Sequence, residues 1–224
     1  MAPTHDRDAF GEDYFARTYG GGPGSYAARA TSNKWRSMCR FIADRAQPSA
    51  ALDIGCAEGA FLRYATRWFP NARWSGVDVS AYALARARSV APNAELREGT
   101  VTALPFQDGA FDLVTAFDIL EHVPDLPAAA RELARVVRPG GELVVVVPVY
   151  DGPLGWLVRR LDRDPTHLHI VGRRFWLDGV LHEHFDLDGW QGTWRYYLLR
   201  YWHVRATLGR QISPAIVTSW RRRR

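Results

Sequence analysis

Short apolar runs alternate with stretches of helical periodicity through the middle of the chain, and this alternation predicts an α/β architecture. The apolar runs predict five strands, at 50–54, 73–78, 94–97, 111–117 and 142–147. Apolar positions at helical spacing predict four helices, at 35–46, 59–69, 81–89 and 127–137. Ser80 is a candidate helix cap, and Pro139-Gly140-Gly141 is a stop signal. Such alternation is typical of a mostly parallel sheet with helices on both faces.

The pattern is less regular after residue 150. A helix is predicted at 173–184, a sixth strand at 185–189, a second helix at 196–208 and a seventh strand at 215–220. No repeat or linker marks a second domain, so we expect one domain over residues 35–220. A flexible lead segment, 1–34, with a short helix at 11–17, is expected before it, and a basic tail, 221–224, after it.

Residues 51–62 are the most informative stretch, because an apolar run ends in Asp53 and is followed by a glycine-rich turn and a helical pattern. Gly55 and Gly59 lack the Cβ atoms that would block a ligand, and they permit positive φ. The D-x-G-x-x-x-G spacing differs from the nicotinamide-binding G-x-G-x-x-G and from the lysine-containing phosphate loop. The loop therefore favours a nucleoside ligand without a polyphosphate.

A second acid follows Asp53 by 25 residues, where the next predicted strand ends in Asp78. In doubly wound sheets, a carboxylate at the tip of the second strand accepts hydrogen bonds from ribose hydroxyls. The alternative is that Asp78 caps the helix that begins near residue 81. The loop and the acid together predict a nucleoside site between two neighbouring strands.

The ordered motifs resemble those of the class I S-adenosylmethionine-dependent methyltransferases. They lie at residues 51–62, 76–80, 98–106, 111–125 and 135–148. The small-molecule branch with an L-E-H-V signature is the most similar, here Leu120-Glu121-His122-Val123, and the resemblance covers about residues 35–190. It implies a doubly wound, mostly parallel, seven-stranded sheet with helices on both faces, the Rossmann-like methyltransferase fold. It also implies S-adenosyl-L-methionine as cofactor and S-adenosyl-L-homocysteine as product.

The resemblance also implies which residues hold the cofactor, from its methionine part to its ribose, adenine and methyl group. They are Asp53, Gly55, Cys56, Ala57, Gly59, Asp78, Val79, Thr100, Val101, Phe117, Asp118 and, on a closing lead segment with Tyr14, Tyr19. Thr100 departs from the family pattern, which often has an aspartate there to accept from the adenine amino group. Cys56 is also a candidate for simple packing within the loop.

Two histidines are candidate catalytic residues, since a histidine can remove the proton of a hydroxyl acceptor. His122 lies in the signature after strand four, and His167 lies in a D-P-T-H-L-H stretch after strand five. The resemblance implies that the acceptor pocket is built mainly from residues 1–34 and 150–210. A structural role is the alternative for both histidines. His167, His169 and Asp164 are also potential metal ligands, but the set is too small to predict a metal.

The net charge of +5 is concentrated in residues 155–224, which carry 13 Lys and Arg against 6 Asp and Glu. Lys34 is the only lysine, and the excess of arginine and alanine is typical of a GC-rich genome rather than of phosphate recognition. We therefore predict no nucleic-acid partner. An RNA or protein acceptor and a non-catalytic scaffold remain alternatives, as does an anionic surface for the terminal arginines.

The cysteine content and the length of the apolar runs indicate the expected cellular location. Cys39 and Cys56 form no disulfide framework, so a reducing, cytoplasmic location is expected. No apolar run reaches the roughly 20 residues of a membrane span. The sequence thus predicts a methyltransferase that acts on a small molecule, more often at oxygen than at nitrogen or carbon. Its arginine- and alanine-rich composition favours bacterial secondary metabolism. The acceptor and the oligomeric state stay open.

Overall fold

The computed structural model describes residues 11–14, 26–162, 164–195, 203–206 and 212–224. The helices in these parts are α1 (Tyr26–Ala43), α2 (Ala60–Trp68), α3 (Ala81–Val90), α4 (Leu126–Val136), α5 (Gly155–Leu161) and α6 (Arg173–Asp178). The strands are β1 (Ala50–Ile54), β2 (Arg73–Asp78), β3 (Glu95–Glu98), β4 (Phe111–Phe117), β5 (Val137–Pro148), β6 (Phe185–Arg195), β7 (His203–Ala206) and β8 (Ala215–Arg222).

The strands form one sheet in the order β3-β2-β1-β4-β5-β8-β6-β7. Strands β1 to β5 pair in parallel, and β8 lies antiparallel between β5 and β6. The chain moves outward in one direction from β1 to β3 and then crosses to β4, so the strand order reverses between β1 and β4. The predicted doubly wound, mostly parallel Rossmann-like fold is confirmed. The described residues contain eight strands, however, where seven were expected.

The packing explains why strands in the first half of the chain lie where the sequence pattern predicted them. Neighbouring residues on one strand enter opposite hydrophobic clusters, because side chains alternate across a sheet. Leu52 packs with Leu133 of α4, whereas Ala51 packs with Met38 of α1 and Phe61 of α2. Strands covered on both faces need continuous apolar runs. The predicted bounds of β1, β2 and β4 are therefore the observed ones.

The C-terminal part departs from the predicted elements. Residues 203–206 form β7 instead of a helix, while residues 196–202 and 207–211 lie outside the described parts. β6 extends to Arg195 because residues 192–195 pair with β7 and 185–193 pair with β8. The predicted helix at 173–184 is only one short helix, α6, followed by turns from Gly179 onward.

The ends of the predicted domain also differ. α1 begins at Tyr26, nine residues before the predicted helix and inside the predicted lead segment. β8 continues to Arg222, so the terminal arginines are not a free tail. Arg221 donates to the carbonyl of Gly140 at 3.2 Å, and Arg223 pairs with Asp186 at 2.9 Å. Strand pairing and these contacts hold what the sequence predicted to be a solvated end.

The length and hydropathy of the helices bear on whether any of them could cross a membrane. Within the parts of the chain that the structure describes, none combines the length and the apolar character that a bilayer crossing requires.

Candidate active site

A crevice opens at the carboxyl ends of β1, β2 and β4, where the strand order reverses. Ligands of doubly wound sheets bind at this position. The crevice encloses about 730 Å³ of space, a volume that includes a part open to solvent. Eight of the predicted site residues line it: Gly55, Ala57, Asp78, Val79, Val101, Phe117, Asp118 and His122.

The glycine loop follows β1 in an unusual backbone conformation. Gly55 and Gly59 have φ of +66° and +78°, and even Ala57 is left-handed, at +47°. A Cβ atom on Gly55 would overlap the Cδ1 atom of Ile119 across the crevice. The amides of Gly55 and Cys56 donate to the carbonyl of Val77 at 2.8 and 3.0 Å. Glycine at position 55 therefore keeps the loop close to β2 and leaves the crevice open.

Asp78 joins this loop to the end of β2. Its Oδ2 atom accepts from the amide of Ala57 at 2.8 Å, and its Oδ1 atom accepts from the amide of Ser80 at 2.9 Å. Burial raises the pKa of the carboxyl, although these two bonds oppose the shift. The cap of α3 is the Ser80 hydroxyl, which accepts from the amide of Ala83. Since each carboxylate oxygen can accept two hydrogen bonds, Asp78 retains acceptor capacity toward the crevice.

Three of the residues predicted to bind the cofactor, Asp53, Cys56 and Gly59, do not line the crevice. Asp53 is buried and accepts from the hydroxyl of Thr115 at 2.7 Å. Burial raises the pKa of Asp53 to about 7, although the hydrogen bond from Thr115 partly opposes this increase. Cys56 is a buried free cysteine packed beside Gly76, as its alternative interpretation held, and Gly59 begins α2.

The loop after β3 presents Gly99 and Val101 to the crevice but not Thr100. The Thr100 hydroxyl lies 3.0 Å from that of Thr102, so the expected adenine contact through its side chain is not supported. Arg135 of α4 holds this loop, donating to the carbonyls of Phe106 at 2.7 Å and Leu104 at 3.0 Å. Its role was not predicted, because nothing in the local sequence links it to a loop some thirty residues earlier.

Phe117 and Asp118 lie at the mouth of β4, as expected. Asp118 is a second non-glycine residue with positive φ, +57°, and its Oδ2 atom lies 2.7 Å from the Nζ atom of Lys34. Trp35 packs on Phe117 with ring centroids 6.0 Å apart. Lys34 was not predicted to belong to the site, although it is the only lysine of the chain.

The two candidate histidines lie side by side, with ring centroids 4.7 Å apart. His122 lines the crevice, and its Nδ1 atom lies 2.9 Å from the Thr166 hydroxyl. Burial, together with the neighbouring His167, lowers the pKa of His122. His167 is not among the residues that line the crevice, and its Nδ1 atom lies 2.6 Å from Asp162. Burial opposes its protonation, but the bond to Asp162 and the nearby carboxylates prevail and raise the pKa of His167.

The lead segment is partly described. Tyr14 lines the crevice and donates from its hydroxyl to Oδ2 of Asp164 at 3.2 Å. Tyr19, the other expected contact from this segment, lies outside the described residues.

The chain is similar to known methyltransferases both in sequence and in fold. Residues 52–145 match the family model described as a methyltransferase domain. A SAM-dependent methyltransferase of Thermotoga maritima has the same fold, with a TM-score of 0.67 over 86% of this chain and 90% of the other, at 17% identity. Residues 52–145 therefore match a methyltransferase domain, and the fold is shared with a solved methyltransferase, which agrees with the predicted resemblance to the class I S-adenosylmethionine-dependent methyltransferases.

Two sequence relatives are more specific. The tocopherol O-methyltransferase of Arabidopsis thaliana is 37% identical over 101 residues, 42% of this chain and 29% of that protein. The ubiquinone biosynthesis O-methyltransferase of Sodalis glossinidius is 36% identical over 116 residues, 48% of this chain and 44% of that protein. The chain thus spans less than half the length of these curated relatives.

Proposed function

We propose that the protein transfers a methyl group from S-adenosyl-L-methionine to a hydroxyl of a small molecule. The observation that carries the proposal is the pairing of the glycine loop with Asp78 at the point where the strand order reverses. Gly55 and Ala57 leave room for the methionine part of the cofactor, and the Asp78 carboxylate faces its ribose. Gly99 and Val101 lie where the adenine would pack. Asp53, Cys56 and Gly59 act by supporting the loop.

The preference for oxygen rests on the relatives and on the acceptor end of the crevice. Two relatives are named O-methyltransferases. The imidazole of His122 lines the crevice near Asp118, at the end where β4 meets the space for the acceptor. We assign to His122 and His167 the task of promoting loss of the acceptor proton.

Methyl transfer from a sulfonium is a direct displacement. The acceptor oxygen forms a bond to the methyl carbon, the carbon–sulfur bond breaks, and its electron pair stays on sulfur as the thioether of S-adenosyl-L-homocysteine. The acceptor proton passes from the oxygen to water. The leaving group needs no acid, so the principal task of the protein is to align the two substrates and exclude water.

The lead segment and residues 150–195 supply the acceptor side in this proposal. Tyr14 and Asp164 come from these two segments and are hydrogen-bonded beside the crevice. A small molecule is favoured over RNA because Arg221 and Arg223, which belong to the basic C-terminal third that motivated the alternative, already contact Gly140 and Asp186. The cytoplasm and bacterial secondary metabolism remain the proposed setting.

Calorimetry with S-adenosyl-L-homocysteine tests the cofactor assignment. Asp78→Asn should weaken binding at least about tenfold, since hydrogen bonds to a charged group contribute about 1.5–3 kcal/mol. Asp112→Asn is the matched control, because Asp112 also accepts backbone amides, from Ser49 and Ala50, at the opposite edge of the sheet. Equal affinities of wild type and Asp78→Asn, in protein that unfolds cooperatively, would refute the assignment.

A further inference from the structure

A carboxylate and two imidazoles meet beside the crevice. An oxygen of Glu121, a ring nitrogen of His122 and a ring nitrogen of His167 all lie within 4.8 Å of one another. The side chain of Glu121 is only 1% exposed, and His122 lines the crevice. Glu121 is therefore buried and the two histidines are partly buried, at one end of the proposed active site.

Both histidines are oriented by hydrogen bonds at Nδ1. The Nδ1 atom of His167 lies 2.6 Å from the carboxylate of Asp162. The Nδ1 atom of His122 lies 2.9 Å from the hydroxyl of Thr166, which in turn donates to Asp164 at 2.5 Å. Histidines that ligate a metal generally have their other ring nitrogen fixed by such an acceptor. The same arrangement occurs here twice, in neighbouring rings.

The backbone also fixes the separation of the two segments that supply these side chains. The amides of Leu168 and His169 both donate to the carbonyl of Glu121, at 2.9 and 3.2 Å. The Nε2 atom of His169 lies 2.8 Å from the carbonyl of Val123. His169 therefore secures the contact between the segments, while His167 belongs to the cluster.

We propose that Glu121, His122 and His167 form a binding site for a divalent transition-metal ion, with Zn²⁺ as the cation that the donors favour. Two imidazoles and one carboxylate suit Zn²⁺ better than Mg²⁺ or Ca²⁺, which prefer oxygen ligands throughout. Three protein ligands leave a coordination position for another molecule. Because Nδ1 of each ring is hydrogen-bonded, Nε2 is the atom left to bind the metal ion. No metal site was predicted from the sequence, because the candidate ligands considered with His167 were His169 and Asp164. Glu121 and His122 are the residues that lie beside it in the structure.

The role of the cation, unlike its binding, rests on the proposed methyl transfer. A cation beside His122 acts as a Lewis acid toward the acceptor hydroxyl and lowers the pKa of that hydroxyl. The O–H bond breaks with the proton passing to water, the oxygen takes the methyl group, and sulfur keeps the electron pair of the broken bond. The two histidines would thus promote proton loss by holding the cation.

Co²⁺ is a direct probe, because its visible absorption reports coordination by nitrogen ligands. Tag-free, chelator-treated wild-type protein should bind about one Co²⁺ per chain, and Zn²⁺ should displace it. Glu121→Gln and His167→Asn should each weaken binding at least about tenfold, and Asp162→Asn by roughly 10–100-fold. Two ligand variants are used so that one decides if the other fails to fold. His184→Asn, which removes a histidine outside the cluster, is the matched control and should bind normally.

The proposal is overturned if wild type shows no Co²⁺ absorption, or if Glu121→Gln and His167→Asn bind Co²⁺ as wild type does. Binding of S-adenosyl-L-homocysteine to the same metal-free protein separates the two proposals. Cofactor binding without Co²⁺ binding overturns the metal site alone. Specific Co²⁺ binding without cofactor binding supports the metal site and counts against the methyltransferase proposal.

Discussion

The Nζ atom of Lys34 lies 2.7 Å from the Oδ2 atom of Asp118, although 84 residues separate them in the chain. Lys34 belongs to α1, and Asp118 follows β4 in a left-handed conformation with φ of +57°. The amide of Asp118 donates to the carbonyl of Val146 at 2.9 Å, which fixes the backbone at this point. The ion pair therefore ties the first helix to the end of the crevice where the methyl group would be transferred.

Replacing the ammonium should destabilise the protein modestly. Both side chains are about one-fifth exposed, so Lys34→Met should lower the free energy of unfolding by about 1 kcal/mol or less. Methionine keeps most of the length and apolar character of the lysine side chain. Urea denaturation at low and at high salt checks the prediction, because salt screens a partly exposed pair. A loss in Lys34→Met that is as large at high salt as at low salt would contradict the electrostatic explanation.

Gly55 and Gly140 are a matched pair, because both have positive φ but only one is crowded. At Gly140, with φ of +74°, a new Cβ atom would meet nothing within 4 Å, whereas at Gly55 it would overlap Ile119. Gly140→Ala should therefore cost only the left-handed conformation, about 1–2 kcal/mol. Gly55→Ala should cost more and should also reduce affinity for S-adenosyl-L-homocysteine. Urea denaturation and calorimetry measure the two effects. Equal losses in both variants would show that overlap with Ile119 does not matter.

The regular elements were predictable where a local pattern determines them. β1, β2 and β4 are covered on both faces, so their apolar runs have clear ends. The C-terminal part was harder, because β8 inserts between β5 and β6 and pairs with β5 residues that lie 67–79 positions earlier. Residues 203–206 pair with the end of β6, and this pairing overrides the helical spacing on which the prediction relied.

The residues of the candidate site likewise divide into those with a local sequence signature and those without one. Gly55 and Asp78 were identifiable because a glycine turn and an acid at a strand end have local chemical signatures. Lys34, Arg135 and Thr166 reach their partners from distant positions, so no local pattern identifies them. Lys34 alone carried a signal, as the only lysine. Glu121 belongs to the L-E-H-V signature, yet its position beside two histidines depends on the segment that contains His167.

Asp53 should make stability depend on pH. Burial raises the pKa of its carboxyl to about 7 in the folded protein, above the unfolded value of about 3.9. Between these values the folded state binds more protons than the unfolded state, so the contribution of Asp53 to stability falls as pH rises from about 4 to about 7. Asp53→Asn, which resembles the protonated acid and can still accept from Thr115, should remove this dependence.

The measurement is urea denaturation of wild type and Asp53→Asn at pH 5 and pH 8. The variant should gain on wild type by up to a few kcal/mol as pH rises. Asp78 and Glu142 also have raised pKa values, so the difference between the two proteins, rather than wild type alone, isolates Asp53. A difference that does not change with pH would mean that the Asp53 carboxyl titrates normally.

Tyr14 should matter through its ring more than through its hydroxyl. The residue lines the crevice, and its hydroxyl donates to Asp164 over a fairly long 3.2 Å. Tyr14→Ala should weaken binding of S-adenosyl-L-homocysteine several-fold, because it opens the crevice to water, whereas Tyr14→Phe should stay within about twofold of wild type. Calorimetry of both variants tests this. Unchanged affinity in Tyr14→Ala would remove the lead segment from the cofactor site.

Arg135 should control the adenine side of the crevice from a distance. Its guanidinium donates to the carbonyls of Leu104 and Phe106, and Glu132, its ion-pair partner at 2.7 Å, accepts from the amide of Leu104. These bonds hold the loop that presents Gly99 and Val101 to the crevice. Arg135→Ala should lower the free energy of unfolding by about 1–3 kcal/mol, because it leaves two carbonyls and the carboxylates of Glu132 and Asp108 without this donor.

The same change should weaken binding of S-adenosyl-L-homocysteine, because a loosened loop must be ordered again when the adenine binds. Arg131→Ala is the matched control, since Arg131 is exposed on the same helix, α4, and the substitution removes an equal charge. Denaturation and calorimetry of both variants separate the loop contacts from the helix itself. If Arg131→Ala impairs binding as much as Arg135→Ala, then charge on α4, rather than the bonds to Leu104 and Phe106, accounts for the effect.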